Sequence, residues 1–574
     1  MNVENKRTAL IERMMAAAAP VTPTKDTAPD PIAIIGLAGY LPQCANLQAF
    51  WEALDQDRSL IEEIPAHRFN MEKLYDAEGK DDDKFHTKWA GIIPDIRQFD
   101  PAFFGILPSE ADQMDPRKRL LLMAAYHALE DAGYAPRSLK DKTTGVFVAA
   151  EEDEYRQCLL ENGVDMKNGS GSSSSLIANQ LSYFFDFRGP SEYINTMCSG
   201  AAVAIHRAVN ALRSGEINYA LVGAANLLLH PDPFVFLSRT GQMSPHSSVI
   251  SFGKDARGFL RADGVGVLVL KPLSKAVADH DSIYAIIKHT AVNYNGQGGL
   301  SMAAPNIPAH TDLITACYQE AGIDPRRVGY IEAQGMGNPV ADIAEWESFN
   351  KALKSLAKEK NIPLPEGGCR VSTLKPMTGH MHSASALGAL FKIIRSLATN
   401  KIHCIQGFTT INPDLDMEGQ PCRLATTTED WPVAPWPRLA GIHSHGSGGN
   451  NAHLLIEEYK APAHPTVAEG QPVVIPIAAA TAEQCKTIVR NLAAVVAANP
   501  SYSLASVAFT LQTGRDALQH RVAFVASTRQ EWLAQAKAYG ERVIRQGIWQ
   551  GVVTDKRTVP CQKAAMPLHR PKPG

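Results

Sequence analysis

The chain has no run of 18 or more apolar residues, so it offers no candidate membrane-spanning helix. Its first residues, Met1-Asn-Val-Glu-Asn-Lys6, contain no apolar stretch of the kind a secretory signal needs. Charge of one sign is also missing. A net charge of −3 over 574 residues leaves no electrostatic footprint for nucleic acid or an anionic membrane. The nine cysteines are odd in number and include no CxxC pair. That argues against a disulfide framework and a zinc site, and for reduced thiols in a cytoplasmic protein. What remains, 45% apolar and 20% charged, is ordinary for a globular protein too long for one simple core.

Short β-branched runs alternate with helical periodicity from Pro31-Ile-Ala-Ile-Ile-Gly36 onward, as in Gly145-Val-Phe-Val-Ala149, Tyr219-Ala-Leu-Val-Gly223 and Gly266-Val-Leu-Val-Leu270. This predicts an α/β class with a largely buried sheet. Residues 1–30 read as a short helix over 5–19 and a Pro/Thr-rich linker. A second composition break at Lys460-Ala-Pro-Ala-His-Pro465 precedes a predicted satellite: strand 473–479, helices 482–498 and 503–513, strand 521–526 and helix 529–539. Residues 555–574 carry four prolines and read as a linker tail. Both ends are expected to join something larger.

Ser191-Glu-Tyr-Ile-Asn195 reads as a strand, and Ala201 to Leu212 as a helix ending at Gly215. Cys198 stands at the joint, where free N–H groups and the helix dipole would favour a thiolate. That suits an acyl-accepting nucleophile. Taken alone, the segment equally suits a cysteine buried as a small apolar side chain.

In sequence context the loop Asn195-Thr-Met-Cys-Ser-Gly200, followed by Ala204-Ile-His206, resembles the nucleophile loop of β-ketoacyl synthases. So do Asp115-Pro-Arg-Lys-Arg-Leu-Leu-Leu122, Ala128-Leu-Glu-Asp-Ala-Gly-Tyr134, Ser182-Tyr-Phe-Phe-Asp-Phe-Arg-Gly-Pro190, Lys375-Pro-Met-Thr-Gly-His380 and Gly448-Gly-Asn-Asn-Ala-His453, in the family's order from about residue 31 to 460. The segment after 470 is similar to the flanking subdomain that follows ketosynthases in modular polyketide synthases served by free-standing acyltransferases. The resemblance implies a thiolase-like fold of two similar layered halves, 31–275 and 276–460, with a flanking α/β subdomain at 461–554. It also implies a homodimer with upstream and downstream acyl carrier proteins and the other modules of a megasynthase as partners. No cofactor would be bound, because substrate arrives on a phosphopantetheine arm.

Carried onto this chain, the resemblance makes Cys198 the nucleophile and His380 a catalytic histidine. Lys375 is expected to pair with Glu345, and backbone N–H groups of Cys198 and Ser447 to form the oxyanion hole. Met336, Asn338, Ser447 and Asn451 are expected to line the substrate. Gln334 stands in Tyr330-Ile-Glu-Ala-Gln-Gly-Met-Gly-Asn338, where the family carries its other histidine, and Ser447 stands where the family carries a gating aromatic. Glutamine donates hydrogen bonds but does not carry a proton. A non-elongating domain is therefore expected, one that passes an acyl chain on without condensation. The alternatives are a condensing synthase in which His380 and ordered water suffice, and a degenerate dimer scaffold for carrier docking. His382 lies close by, but Gly379-His380 fits the motif better.

Overall fold

The computed structural model describes residues 30–553, apart from 141, 152–153, 165–172, 299–300, 463–469 and 544. The expected 5–19 helix, the tail beyond 555 and most of the 460–470 junction lie outside the described residues.

Among the described residues, eleven strands are joined in one sheet: β1 (Ile32–Tyr40), β2 (Thr144–Ala150), β3 (Ser191–Ile194), β4 (Tyr219–Asn226), β5 (Gly264–Pro272), β6 (Ala285–Tyr294), β7 (Val328–Glu332), β8 (Cys369–Ser372), β9 (Cys422–Leu424), β10 (Leu439–His445) and β11 (Asn450–Glu457). Their spatial order is β9-β8-β7-β10-β11-β6-β1-β5-β4-β2-β3. Divided between β6 and β1, the same arrangement occurs twice: β3-β2-β4-β5-β1 in the first half and β8-β7-β10-β11-β6 in the second, with β9 added at the edge. The pairing senses repeat as well. β2 runs parallel to β3 and β4, and β7 runs parallel to β8 and β10. The two remaining pairs in each half are antiparallel. This is the thiolase-like repeated α/β fold expected from the sequence. The continuous apolar runs follow from burial on both faces: every residue of β2 and of β5 is buried.

Two helices lie at the centre, Gly200–Arg213 after β3 and Ser385–Thr399 after β8. The first touches β2 and β4 of its own half and β6 and β11 of the other; the second touches β10 and β5. Being covered on all sides, they bury residues around most of their circumference. Small residues make this possible on the first helix, where Ala201, Ala202, Ala204, Ala208 and Ala211 are fully buried. On the second, Phe391 fills the space left by two strand glycines: a Cβ on Gly39 or Gly266 would lie 3.0 Å from its ring. Outer helices cover the other faces, Pro116–Asp131 against β1 and β5, and Ile307–Glu320 against β6.

After the sheet comes a three-stranded antiparallel unit (Val473–Ala479, His520–Ala526, Ile548–Val552) with helices Ala482–Ala498, Leu504–Thr513 and Arg529–Gly540. A capping box of Thr481 and Gln484 starts its first helix. Its core gathers Ile475, Ile477, Val489, Val496, Phe524 and Trp532. It docks through polar groups. Buried Asp516 accepts from Tyr126 Oη (3.1 Å) and from the Arg137 N–H (3.1 Å), and Arg515 Nη1 donates to the Glu130 carbonyl (2.8 Å).

Candidate active site

The repeat brings two equivalent joints together. In the first half, a 3₁₀ turn (Met197–Ser199) links β3 to its central helix; in the second, a 3₁₀ turn (His382–Ala384) precedes the helix Ser385–Thr399. The two turns are in contact. Each starts with a non-glycine residue at positive φ, Met197 at 54° and His382 at 44°. Side chains rarely accept that region, so the surrounding packing must hold both.

The thiol and two imidazoles meet where the turns touch. Cys198 Sγ, one ring nitrogen of His380 and one of His382 all lie within 4.8 Å of one another. All three residues are buried. The two imidazoles stack at 4.6 Å and 12°, and Phe259 meets both edge-on at 5.0 and 5.8 Å. His380 is fixed from several sides. Its N–H donates to the Leu260 carbonyl (2.7 Å), its carbonyl accepts from the Ala262 N–H (2.9 Å), and Nδ1 lies 2.9 Å from Ser385 Oγ. Gly379 makes that approach possible: it sits at φ 78°, and a Cβ there would come within 3.0 Å of the Leu260 carbonyl. The Nε2 atoms of both His380 and His382 are buried without a hydrogen-bond partner, which leaves them for a reacting group.

Burial pushes the Cys198 thiol up, and the nearby Glu151 carboxylate adds to this. Lys375 and the N–H groups of Ser447 and Cys198 act the other way without overcoming it. The expected lowering at the helix end is thus corrected: burial outweighs the dipole, and the thiol needs a base. The N–H groups of Cys198 and Ser447 both act on the sulfur and favour its thiolate. His380 is held well below its ordinary value by burial, then by His382, Lys375, His445 and Arg261. It is a neutral imidazole at physiological pH, able to accept or donate one hydrogen bond at Nε2.

Behind the imidazoles, Lys375 Nζ donates to the Gln334 carbonyl rather than to the Glu345 carboxylate, to which it is electrostatically coupled. Glu345 instead accepts from the N–H groups of Gln334 (2.8 Å) and Gly335 (2.7 Å). The Gln334 side chain is buried and donates to the His445 carbonyl (3.1 Å). Asn338 caps the helix Pro339–Lys360, accepting from the N–H groups of Val340 and Ala341. Asn451 braces β11 on β6 through Asn293 and Asn295. Met336 is half-buried against a separate apolar cluster. Ser447 is exposed, its hydroxyl 2.9 Å from Met197 Sδ. Asn338 and Asn451 thus both have structural partners.

The expectation of a site short of one histidine is corrected. It rested on Gln334, but His382 supplies a second imidazole beside the thiol, and the Cys-His-His cluster is intact. With it falls the expectation of a non-elongating domain with doubtful condensation. In the sequence, His382 lies two residues past the Gly379-His380 step that fits the motif. The positive-φ turn is what directs it back to Cys198.

A repeated thiolase-like fold with a buried cysteine and two imidazoles between its halves defines an acyl-transferring enzyme of the thiolase-like class. The matches to known proteins narrow this further. Residues 29–276 match "Beta-ketoacyl synthase, N-terminal domain", 284–409 match "Beta-ketoacyl synthase, C-terminal domain" and 473–535 match "CurL-like, PKS C-terminal". The chain is 32% identical to the ketosynthase from module 6 of the bacillaene synthase of Bacillus subtilis 168, with a TM-score of 0.83 over 93% of this chain and 90% of that one. An oxazolomycin ketosynthase domain from Streptomyces albus gives 31%, a TM-score of 0.85, and 92% and 91%. Among curated proteins, polyketide synthase PksR of Bacillus subtilis is 38% identical over 88% of this chain, and ThaG of Burkholderia thailandensis 35% over 92%. This chain belongs to the β-ketoacyl synthase family. It spans 20% of PksR and 9% of ThaG. Ketosynthases of this family carry the acyl chain on cysteine and receive it from a phosphopantetheine thiol, without a bound cofactor. Among the described residues, no helix is long and apolar enough to cross a membrane.

Proposed function

We propose that this chain is a condensing ketosynthase domain of a modular polyketide synthase, extending acyl chains delivered by carrier proteins. The observation that carries this is the convergence of Cys198 Sγ with His380 and His382 in one buried cluster. Cys198 gives up its proton and attacks the thioester carbon of an acyl-carrier. The oxyanion is held by the N–H groups of Cys198 and Ser447, and the carrier thiol leaves with a proton. A malonyl-type extender on a second carrier then loses carbon dioxide. The neutral His380 imidazole donates to the enolate oxygen, and its carbon attacks the Cys198 thioester. One carbon–carbon bond forms, and the thiol is released. General acid–base groups of this kind contribute about 10²–10⁴ in rate.

A homodimer paired through β3, cytoplasmic placement, and docking to upstream and downstream carriers belong to the same reading. The likeness to ketosynthases of modular synthases supports them. The flanking unit 461–554 is proposed as a subdomain that travels with the synthase, supported by the polar docking around Asp516.

The test is intact-protein mass spectrometry after incubation with acyl-carrier and then malonyl-carrier protein. The expected results are one acyl adduct that Cys198→Ala abolishes, followed by a β-ketoacyl product on the second carrier. Acylation with no β-ketoacyl product would overturn condensation, and absence of both would point to a scaffold.

A further inference from the structure

His382 is held by a carboxylate for which the activity above has no use. Glu151, just past β2, places Oε2 3.4 Å from His382 Nδ1. Neither group is loosely placed: the His382 side chain is 8% exposed and that of Glu151 23%. The Glu151 carbonyl is fixed by Arg117 Nη1 (3.0 Å) and Tyr193 Oη (3.2 Å). The N–H of Ser383, the residue after the strained His382, also favours the charged carboxylate. One acid thus acts on both the imidazole and the turn that presents it. With Nδ1 toward Glu151, the nitrogen left over is Nε2, which is buried and without a partner.

We propose that Glu151 is the positioning residue for His382, fixing its Nδ1–H tautomer so that His382 Nε2 is the base that deprotonates Cys198 during acylation. This deepens the ketosynthase reading and rests on it. The step balances as follows. The Cys198 S–H bond breaks, and the proton passes to His382 Nε2. The sulfur then attacks the thioester carbon, and the expelled carrier thiolate takes the proton back. The imidazolium formed in between is stabilised by Glu151. His380 remains the neutral donor to oxygen, its Nδ1 occupied by Ser385. The two stacked rings thereby divide the work.

The electrostatics agree with this geometry. Burial works to raise the Glu151 carboxyl, but His382, Arg261 and the Ser383 N–H outweigh it and hold the group below its ordinary range. The charged and titratable groups beside His382 are Glu151 beyond β2, Cys198 from the opposed turn and His380 from its own segment; Arg261 and Lys375 act on the adjoining His380, and Arg261 also on Glu151.

The sign of one substitution decides the matter. Glu151 alone, as a negative charge beside the thiol, raises the Cys198 pKa. If that were its whole role, Glu151→Gln would speed alkylation of Cys198 by iodoacetamide at neutral pH. If Glu151 acts through His382, Glu151→Gln slows both alkylation and acylation by about tenfold or more and moves the alkylation profile to higher pH. Glu151→Asp, which keeps the carboxylate, should recover part of the loss. The double variant Glu151→Gln/His382→Gln should be no slower than His382→Gln alone. Faster alkylation, or acylation at the wild-type rate in Glu151→Gln, overturns the proposal, as do losses in the two single variants that multiply. A folded Glu151→Asp keeps the test valid if the glutamine variant is unstable. Both readouts precede the malonyl step. A wild-type protein that acylates but forms no β-ketoacyl product therefore counts against condensation, and leaves the Glu151 comparison to be decided by its own rates.

Discussion

Gly446 offers the most direct test of how the oxyanion hole is built. It precedes Ser447, whose N–H faces the Cys198 sulfur. A Cβ at this position would lie 2.5 Å from the Thr196 carbonyl, 3.2 Å from Ser199 Oγ and 3.6 Å from the Cys198 N. Restoring ordinary contact at about 3.4 Å requires a shift of about 0.9 Å (3.4 − 2.5) between two backbone segments. One of them carries the nucleophile and the other an oxyanion donor. Neither can yield by turning a side chain, because the closest atom is backbone. Misplacement on this scale costs about 10²-fold in a positioned reaction, and loss of one oxyanion donor about 10²–10³. Gly446→Ala should therefore slow acylation of Cys198 by about 10²-fold or more, or about 3 kcal/mol. Overpacking of this kind destabilises by about 1–3 kcal/mol, so the protein should stay folded at room temperature. The assay is the rate of acyl adduct formation by intact mass, beside a thermal melt. Acylation within threefold of wild type in a folded protein would refute the assignment of Ser447 N–H as a donor.

Other outcomes follow from the same geometry. His380→Gln should lower β-ketoacyl formation by about 10²–10⁴ while acyl loading of Cys198 falls much less, read as product formed against adduct formed; equal losses in both would contradict the division of labour between the two rings. Asp516→Ala leaves Tyr126 Oη and the Arg137 N–H without their acceptor, and should destabilise by about 1–3 kcal/mol in a urea titration, with acylation unchanged; a midpoint equal to wild type would mean the flanking unit docks by other contacts. His310, His380, His443 and His453 are buried, and each is held below the ordinary imidazole value, chiefly by burial, His310 at about 4 and His453 at about 3. Unfolded, they bind protons near 6.5; folded, they do not. Stability is therefore full above pH 6.5 and falls as pH drops below it, by up to about 1.4 kcal/mol per pH unit for each histidine. Urea midpoints at pH 7.5 and 5.5 should differ steeply, and a flat profile would show that these imidazoles are charged in the native state.

The fold was legible because burial on both faces leaves a plain mark: continuous apolar strands, and alternation with helices. The flanking elements could be located to within a residue or so at most ends, though the last strand, Ile548–Val552, has only one half-buried residue and gave no pattern to read. Cys198 and His380 were legible from their loops. His382 was not, because its role depends on a left-handed backbone that no periodicity announces. Its sign in the sequence was the Gly379-His-Met-His382 spacing, which reads as two histidines on one side of an extended turn. Glu151 lies 231 positions earlier (382 − 151), and nothing local to it points to a histidine. Asn338 followed by Pro339 carries the signature of a helix cap, and the structure shows one. The pairing expected between Lys375 and Glu345 survives as electrostatic coupling, but the hydrogen bonds of both go to backbone atoms that frame Gln334.

The repeated joint also bears on the order of events during synthesis. A ribosome releases Cys198 first, and the imidazole of His382 follows 184 residues later (382 − 198). Until the second half has closed over the first, the thiol has neither its proton acceptor nor, in Ser447, the second N–H that would steady an oxyanion. A nascent chain is thus chemically silent toward thioesters, and competence arrives in a single step with completion of the fold. Splitting the working parts across an internal axis makes reactivity a certificate of assembly.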